Sequence, residues 1–219
     1  VHGDVTFQNV SLSYEKQGRE ALHRINFGVL PGQLVCVVGA SGAGKTTLAN
    51  LLLRFYSPTE GRITVDGEDL ESIGLSSLRK RIRMVPQEPI LFSGTLAENI
   101  CYGYPEATPE EVIRAAKAAE LHDFILTLPS KYETHIGEGG MSLSGGQKQR
   151  MALAMTLLTD PSVLILDDST SALDAKTEAR IHKTLERSLV GRTAFVITQK
   201  VSMARKADLV LVLEKGRLV

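Results

Sequence analysis

The sequence predicts an α/β fold: a sheet carrying a phosphate-binding loop, with a helical segment inserted along the chain. Three observations predict it. Gly39-Ala40-Ser41-Gly42-Ala43-Gly44-Lys45-Thr46 fits G-x-x-x-x-G-K-[ST], with an apolar run at 34–38 before it and a helical pattern at 46–54 after it. Val163–Asp167 is four apolar residues closed by a carboxylate, as expected at the carboxyl end of a buried parallel strand. Between Gln87 and Asp160 the pattern turns helical, whereas the flanking stretches read as strands.

Taken in order, residues 5–14 alternate and are β-branched, and so read as a strand. A turn at 17–20 precedes a second strand at 21–29, closed by Pro31-Gly32. The strand, loop and helix of the phosphate motif follow, and Ser57-Pro58 is expected to end that helix. Residues 61–67 read as a short strand running into a turn, and 82–87 as a strand broken at Pro86. The basic run Arg79-Lys80-Arg81-Ile82-Arg83 reads as a solvated edge ahead of that strand. Helices are expected at 109–119 and 121–128. Another is expected at 144–158, where Ser144 and Gln147 have the spacing of a capping box. Beyond Asp167, a helix is expected at 177–189 and core strands at 194–198 and 209–213.

Each residue type of the loop has a physical task. Glycines let successive N–H groups curl inward and let phosphate oxygens approach. The start of the following helix adds unpaired donors and a partial positive charge. Lys45 supplies a point charge for β- and γ-phosphates, and the Thr46 hydroxyl suits Mg²⁺. Nucleoside triphosphate binding is therefore the base of the functional reading. Lys+Arg and Asp+Glu are equal at 25 each, which argues against a dedicated nucleic-acid binder. Two cysteines make no disulfide framework, and Cys36 falls inside a buried strand, which fits a reducing compartment. No apolar run is long enough to span a bilayer. The chain opens on Val1 rather than Met and stops on Val219 after a hairpin arm, so it is expected to be a domain of a longer polypeptide.

Leu143-Ser144-Gly145-Gly146-Gln147 opens a helix on two glycines, where an anion can meet the helix terminus. With this motif the chain resembles, over nearly its whole length, the nucleotide-binding domains of ABC transporters of the exporter type. Walker A is Gly39, Ala40, Ser41, Gly42, Ala43, Gly44, Lys45 and Thr46, followed by Thr47. Tyr14 matches the A-loop aromatic, Gln87 the Q-loop, Val163–Asp167 Walker B, and Ser171-Ala172-Leu173-Asp174 the D-loop. Gly137-Glu138-Gly139-Gly140 looks like the X-loop of exporters.

The resemblance implies an α/β P-loop NTPase (RecA-like) core, with an antiparallel β subdomain and an inserted helical subdomain. It implies one domain, with residues 1–88 and 160–219 as the ATP-binding core and 89–159 as the helical signature subdomain. It further implies ATP and Mg²⁺ as cofactors. Tyr14 would stack on adenine, and Lys45, Thr46, Gln87 and Asp167 would handle phosphate and metal. Ser144, Gly145 and Gly146 would reach the γ-phosphate held by a second such domain, paired head to tail. Gln87 and the X-loop would transmit closure to a transmembrane domain in the same full-length chain, at the cytoplasmic face of the membrane.

The chain departs from the family's pattern at two places. After Asp167 the family has glutamate, which polarises the attacking water; here Asp168 is shorter by one methylene. The switch histidine is expected within Ile197-Thr198-x-Lys200, and the residue there is Gln199, which cannot carry a proton. The five histidines (His2, His23, His122, His135 and His182) read as surface or packing residues. Both departures fall on the chain's own Walker face, while the signature is intact. Two readings follow: half of a heterodimeric exporter with one degenerate site, or a working homodimer that tolerates both residues. A regulatory ATP-binding module without turnover is a third. A soluble ABC-type ATPase acting on DNA or the ribosome is a fourth, opposed by the neutral charge and the absence of a coiled-coil insertion.

Overall fold

The structure is a computed structural model describing residues 2–15, 18, 20–86, 88–137, 140, 142–167, 191–198 and 204–219. The described chain divides into two compact units. One holds residues 2–84, 162–167, 191–198 and 204–219; the other holds 85–161.

The first unit contains two sheets. The antiparallel sheet runs β2-β1-β4-β5, from β1 (Val5–Ser13), β2 (Glu20–Val29), β4 (Glu60–Val65) and β5 (Glu68–Asp69). The alternation in β1 buries Val5 and Phe7, then Val10 and Leu12. The slip between the two pairs is a register shift at Asn9, whose φ is 49°. Asp66 and Gly67, both with positive φ (53° and 78°), turn β4 into β5 in the two-residue manner of an Asp-Gly hairpin. Asp66 also accepts backbone N–H bonds from His2, Gly3 and Asp4 at 3.1, 2.7 and 3.1 Å, which ties down the start of the chain.

The second sheet has the order β12-β11-β3-β10-β9-β6. Its members are β3 (Leu34–Gly39), β6 (Ile82–Val85), β9 (Val163–Asp167), β10 (Thr193–Ile197), β11 (Leu209–Glu214) and β12 (Arg217–Leu218). The pairs β11–β3, β3–β10 and β10–β9 are parallel. Period-two burial sends Val35, Val37, Val163, Ile165, Phe195, Ile197, Leu211 and Leu213 into one apolar cluster. That cluster also takes Leu48, Leu51 and Leu52 of α1 (Lys45–Leu52) and the inward residues of the antiparallel sheet. Three rings join the two sheets: Phe7 stacks on Phe27 at 4.5 Å, and Phe27 meets Phe195 at 6.4 Å.

The helix after the loop ends at Leu52 rather than at Ser57-Pro58. Arg54, at φ 52°, leaves the helical path before the proline is reached. The basic run Arg79 to Arg83 is not a simple edge. It straddles the end of α2 (Leu75–Arg81) and the start of β6.

The second unit is mainly helical. It contains α3 (Leu96–Cys101), α4 (Pro109–Ala118), α5 (His122–Thr127), α6 (Gly145–Leu157) and a two-residue ladder of β7 (Gly94–Thr95) with β8 (His135–Ile136). α3, α4 and α6 each begin with a complete capping box: Thr95 with Glu98, Thr108 with Glu111, and Ser144 with Gln147. α6 is buried almost all round, with Met151, Leu153, Ala154 and Leu157 among its covered residues. Buried Asn99 (2% exposed) holds the strand end before α3, donating to the carbonyls of Phe92 and Thr95 and accepting from Phe92 N–H. The helix expected at 177–189 lies outside the described residues. Among the described residues no helix is long and apolar enough to cross a membrane.

Because Phe195 is fully buried where the sheets meet, Phe195→Ala is expected to lower stability by about 3–5 kcal/mol, read as an earlier urea midpoint.

Candidate functional site

The loop leaves the carboxyl end of β3 at Gly39 and enters α1 at Lys45. A Cβ at Gly39 would lie 2.3 Å from the Leu213 carbonyl oxygen, so the loop begins pressed against β11. At its other end Gly44 has φ 108°, and a Cβ there would meet Leu22 at 2.8 Å and the Ala21 carbonyl at 2.9 Å. Gly216 N–H donates to the Ala43 carbonyl at 3.0 Å, and Ala43 N–H to the Ala40 carbonyl at 3.1 Å. The loop is therefore fixed from three sides by ordinary packing and backbone bonds.

Gly44, as N-cap, offers no side-chain cap to α1, and the first turn carries no acid. The leading N–H groups and the dipole of α1 are thus free of local competition for an anion. Lys45 Nζ donates to the Gly39 and Ala40 carbonyls at 2.8 and 2.9 Å, which folds the ammonium over its own loop. Thr46 is exposed in the first helical turn and Thr47 is buried. A cavity of about 730 Å³ lies along the loop, lined by Gly39, Ala40, Ser41 and Gly42 with Val212 and Glu214 among the others.

Parallel register sets the acid. Asp167 at the end of β9 pairs with Ile197 of β10, and Ile197 pairs with Val37 of β3, two residues before Gly39. Thr198 N–H then donates to the Val37 carbonyl at 3.2 Å. The carboxylate and the loop thus leave the same end of one sheet, where open α/β sheets bind ligands. Tyr14, just past β1, is half exposed at 50% and shares a 2.8 Å hydrogen bond with the Thr47 hydroxyl. The ring of Tyr56 stands edge-on to it at 4.9 Å and 83°.

The structure therefore brings together Tyr14, the whole run from Gly39 to Thr47, and Asp167. In the second unit, Ser144 accepts from Gln147 N–H at 3.3 Å while Gln147 Oε1 accepts from Ser144 N–H at 2.8 Å. Leu143 sits just ahead of this cap, and Gly145 and Gly146 form the first turn of α6. Arg150 extends the same helix end, donating to the carbonyls of Gly146 and Glu120. Gln87, Glu138, Asp168, Gln199 and the stretch Ser171, Ala172, Leu173 and Asp174 lie outside the described residues. Tyr56 escaped sequence reading: an aromatic beyond a helix end carries no motif, and only its nearness to Tyr14 singles it out.

A glycine loop between a parallel strand and an uncapped helix, beside a strand-end acid, defines a nucleotide-binding domain of the phosphate-loop class. The model of the ABC transporter family matches residues 22–171. Similar curated proteins include the putative multidrug export ATP-binding/permease protein YgaD of Bacillus subtilis (strain 168), 46% identical over 219 residues, covering 100% of this chain and 38% of that protein. The ATP-dependent lipid A-core flippase of Chromohalobacter salexigens is 44% identical over 219 residues, with the same two coverages of 100% and 38%. ABC transporter B family member 14 of Arabidopsis thaliana is 46% identical over 220 residues, covering 100% of this chain and 18% of that protein. Among solved structures, a bacterial Atm1-family ABC exporter with ATP bound superposes with a TM-score of 0.92 at 45% identity, covering 100% of this chain and 38% of that one. The chain belongs to the ABC transporter family, as an ATP-binding, ATP-hydrolysing domain similar to those of exporters. It spans less than two fifths of the length of these relatives.

Gly39→Ala places a methyl group against a strand carbonyl, and is expected to cost about 1–3 kcal/mol and to loosen the loop. A lower thermal midpoint together with weaker ATP binding checks it.

Proposed function

We propose that this chain is the ATP-driven domain of a membrane exporter, that it binds Mg·ATP on its own Walker face with slow hydrolysis there, and that it lends its signature helix to a competent site on a different subunit. The observation that carries the reading is an asymmetry. The signature retains its motif and a complete cap at Ser144 and Gln147, whereas the chain's own Walker face carries Asp168 and Gln199. The division into an ATP-binding core (1–88 and 160–219) and a signature subdomain (89–159) belongs to the same reading.

The residues suit the cofactors. The N–H groups of Gly42, Gly44 and Lys45 and the Lys45 ammonium match a triphosphate in charge. The Thr46 hydroxyl and the Asp167 carboxylate are hard oxygen donors, as Mg²⁺ prefers, and Gln87 is assigned as a further metal contact. Bound Mg²⁺ supplies charge neutralisation for the phosphates. Tyr14 offers a ring to the adenine, and Thr47 holds the Tyr14 hydroxyl.

Asp168 follows Asp167 in the sequence, at the position of the glutamate that polarises the attacking water in the resembled family. Drawing that group back by one methylene costs on the order of a hundredfold in rate, because proton abstraction depends steeply on reach. Gln199 can hydrogen-bond to a γ-phosphate but holds no transferable proton. Gln87, the X-loop and the D-loop residues Ser171 to Asp174 link the site to the partner and to the transmembrane domain in this reading. The partner is a second nucleotide-binding domain, head to tail, at the cytoplasmic face of the membrane. The relatives' greater length, and the pairing of "ATP-binding" with "permease" in the printed name of YgaD, support a transmembrane domain in the same full-length chain.

Single-turnover hydrolysis of radiolabelled ATP tests the proposal, with the protein alone and mixed with a partner domain carrying glutamate and histidine at the matching positions. Alone, the protein is expected to bind ATP and hydrolyse it slowly or not at all; the mixture is expected to turn over. Brisk turnover alone, abolished by Asp168→Ala, would favour a working homodimer instead. Asp168→Glu combined with Gln199→His is expected to raise turnover at this chain's own site by roughly ten- to a hundredfold.

A further inference from the structure

The geometry points to Tyr56 and the Thr47 hydroxyl as positioning residues that together set the ring of Tyr14, and so the affinity of the site for the base of its nucleotide. This inference rests on the reading of Tyr14 as the adenine platform, and adds what holds the platform in place.

Tyr14 comes from the end of β1, where the chain turns away from the sheet. Its backbone is steadied locally by Ser13, whose hydroxyl donates to the carbonyls of Glu15 at 2.7 Å and Gly18 at 3.1 Å. Those bonds fix the chain but not the ring, which retains two rotatable torsions on a half-exposed side chain. Both contacts that define the ring come from α1 and its exit. Thr47, buried at 8% exposure in the first turns, shares a 2.8 Å hydrogen bond with the phenolic oxygen. Tyr56, four residues beyond Leu52, meets the ring edge-to-face at 4.9 Å.

An edge-to-face contact covers at most one face of the Tyr14 ring and leaves a face for stacking, which a parallel stack of Tyr56 on Tyr14 would compete for. The position of Tyr56 is itself constrained. Arg54 turns the chain out of the helix at φ 52°, Phe55 N–H donates to the Asn50 carbonyl at 2.9 Å, and Arg54 reaches the Leu70 carbonyl at 3.3 Å. The helix that presents its N-terminus to the phosphates therefore carries one support of the ring, Thr47, and the turn that leaves it carries the other, Tyr56. The Thr47 bond ties the platform to the same helix that begins at the phosphate loop. Fixing the ring before binding reduces the rotamer freedom lost on stacking.

The test compares two ligands on the 219-residue protein: 1,N6-ethenoadenosine triphosphate, whose fluorescence reports stacking, and inorganic tripolyphosphate, which has no base. Tyr56→Leu is expected to weaken binding of the etheno nucleotide by roughly three- to tenfold and to leave tripolyphosphate binding unchanged. Tyr56→Phe, which keeps the ring edge, is expected to behave as the parent protein. Tyr14→Phe removes only the hydroxyl, and is expected to weaken the nucleotide by roughly two- to fivefold with no effect on tripolyphosphate. Combined with Thr47→Val, it is expected to add nothing to the loss from Thr47→Val alone, while Thr47→Ser restores the parent value.

Equal losses for both ligands in Tyr56→Leu, or no loss for either, would overturn the inference. So would full additivity of Tyr14→Phe and Thr47→Val. Tyr14→Ala separates the two layers of the argument. If it also leaves etheno-nucleotide binding intact, the platform reading itself fails. If it weakens that binding while Tyr56→Leu does not, only the support fails.

Discussion

The backbone of the phosphate loop must be rigid and yet keep N–H groups for an anion, and the first unit is arranged around that conflict. A loop that satisfied its own donors would have nothing left for an anion, and one held by side chains would be crowded. Here it is held from behind. Gly39 lies against the Leu213 carbonyl with no room for a Cβ, Gly44 against Leu22 and the Ala21 carbonyl, and Gly216 N–H caps the Ala43 carbonyl. Each support uses a carbonyl, a methyl or an N–H from outside the loop. The inner face and the start of α1 stay open to negative charge.

Those supports come from opposite sides, so the two sheets must be locked to each other. Leu213 and Gly216 belong to the β11–β12 hairpin of the parallel sheet, and Ala21 and Leu22 to β2 of the antiparallel sheet. The apolar cluster that joins them, including the Phe7, Phe27 and Phe195 rings, is the cement of the site as well as the core of the unit. His23 N–H donating to the Gly216 carbonyl at 2.7 Å closes the same seam at the surface. Core packing and ligand geometry are thus one problem: a cavity at Phe195 would be felt where β2 and β11 grip the loop.

Elements with a strong local signal were legible. The strand–loop–helix of the phosphate motif, the apolar run into Asp167 and the capping box at Ser144 stand in the structure within a few residues of their expected bounds. Several short elements were not, although the 6-residue α5 falls within the helix expected at 121–128. α2 and α3 span 7 and 6 residues, too few turns for periodicity to rise above noise, and β5, β7 and β8 are 2 residues each. α3 nevertheless carried a readable sign in Thr95 and Glu98, the same spacing that marks α4 and α6. The end of α1 was misplaced because a left-handed Arg54 stops the helix, and arginine advertises no such turn.

What the amino-acid order determined alone was chemistry by type: a loop suited to phosphate, an acid at a strand end and a capped glycine helix. Those follow from contiguous residues, where covalent spacing already fixes the neighbourhood. Tertiary structure decided which groups share a space. Asp167 and the loop meet because β9, β10 and β3 pair in parallel register. The ring of Tyr14 faces Thr47 and Tyr56, 33 and 42 residues away along the chain. Contacts at that separation leave no period or spacing to read, because they are chosen by sheet register and core packing rather than by the chain's local geometry.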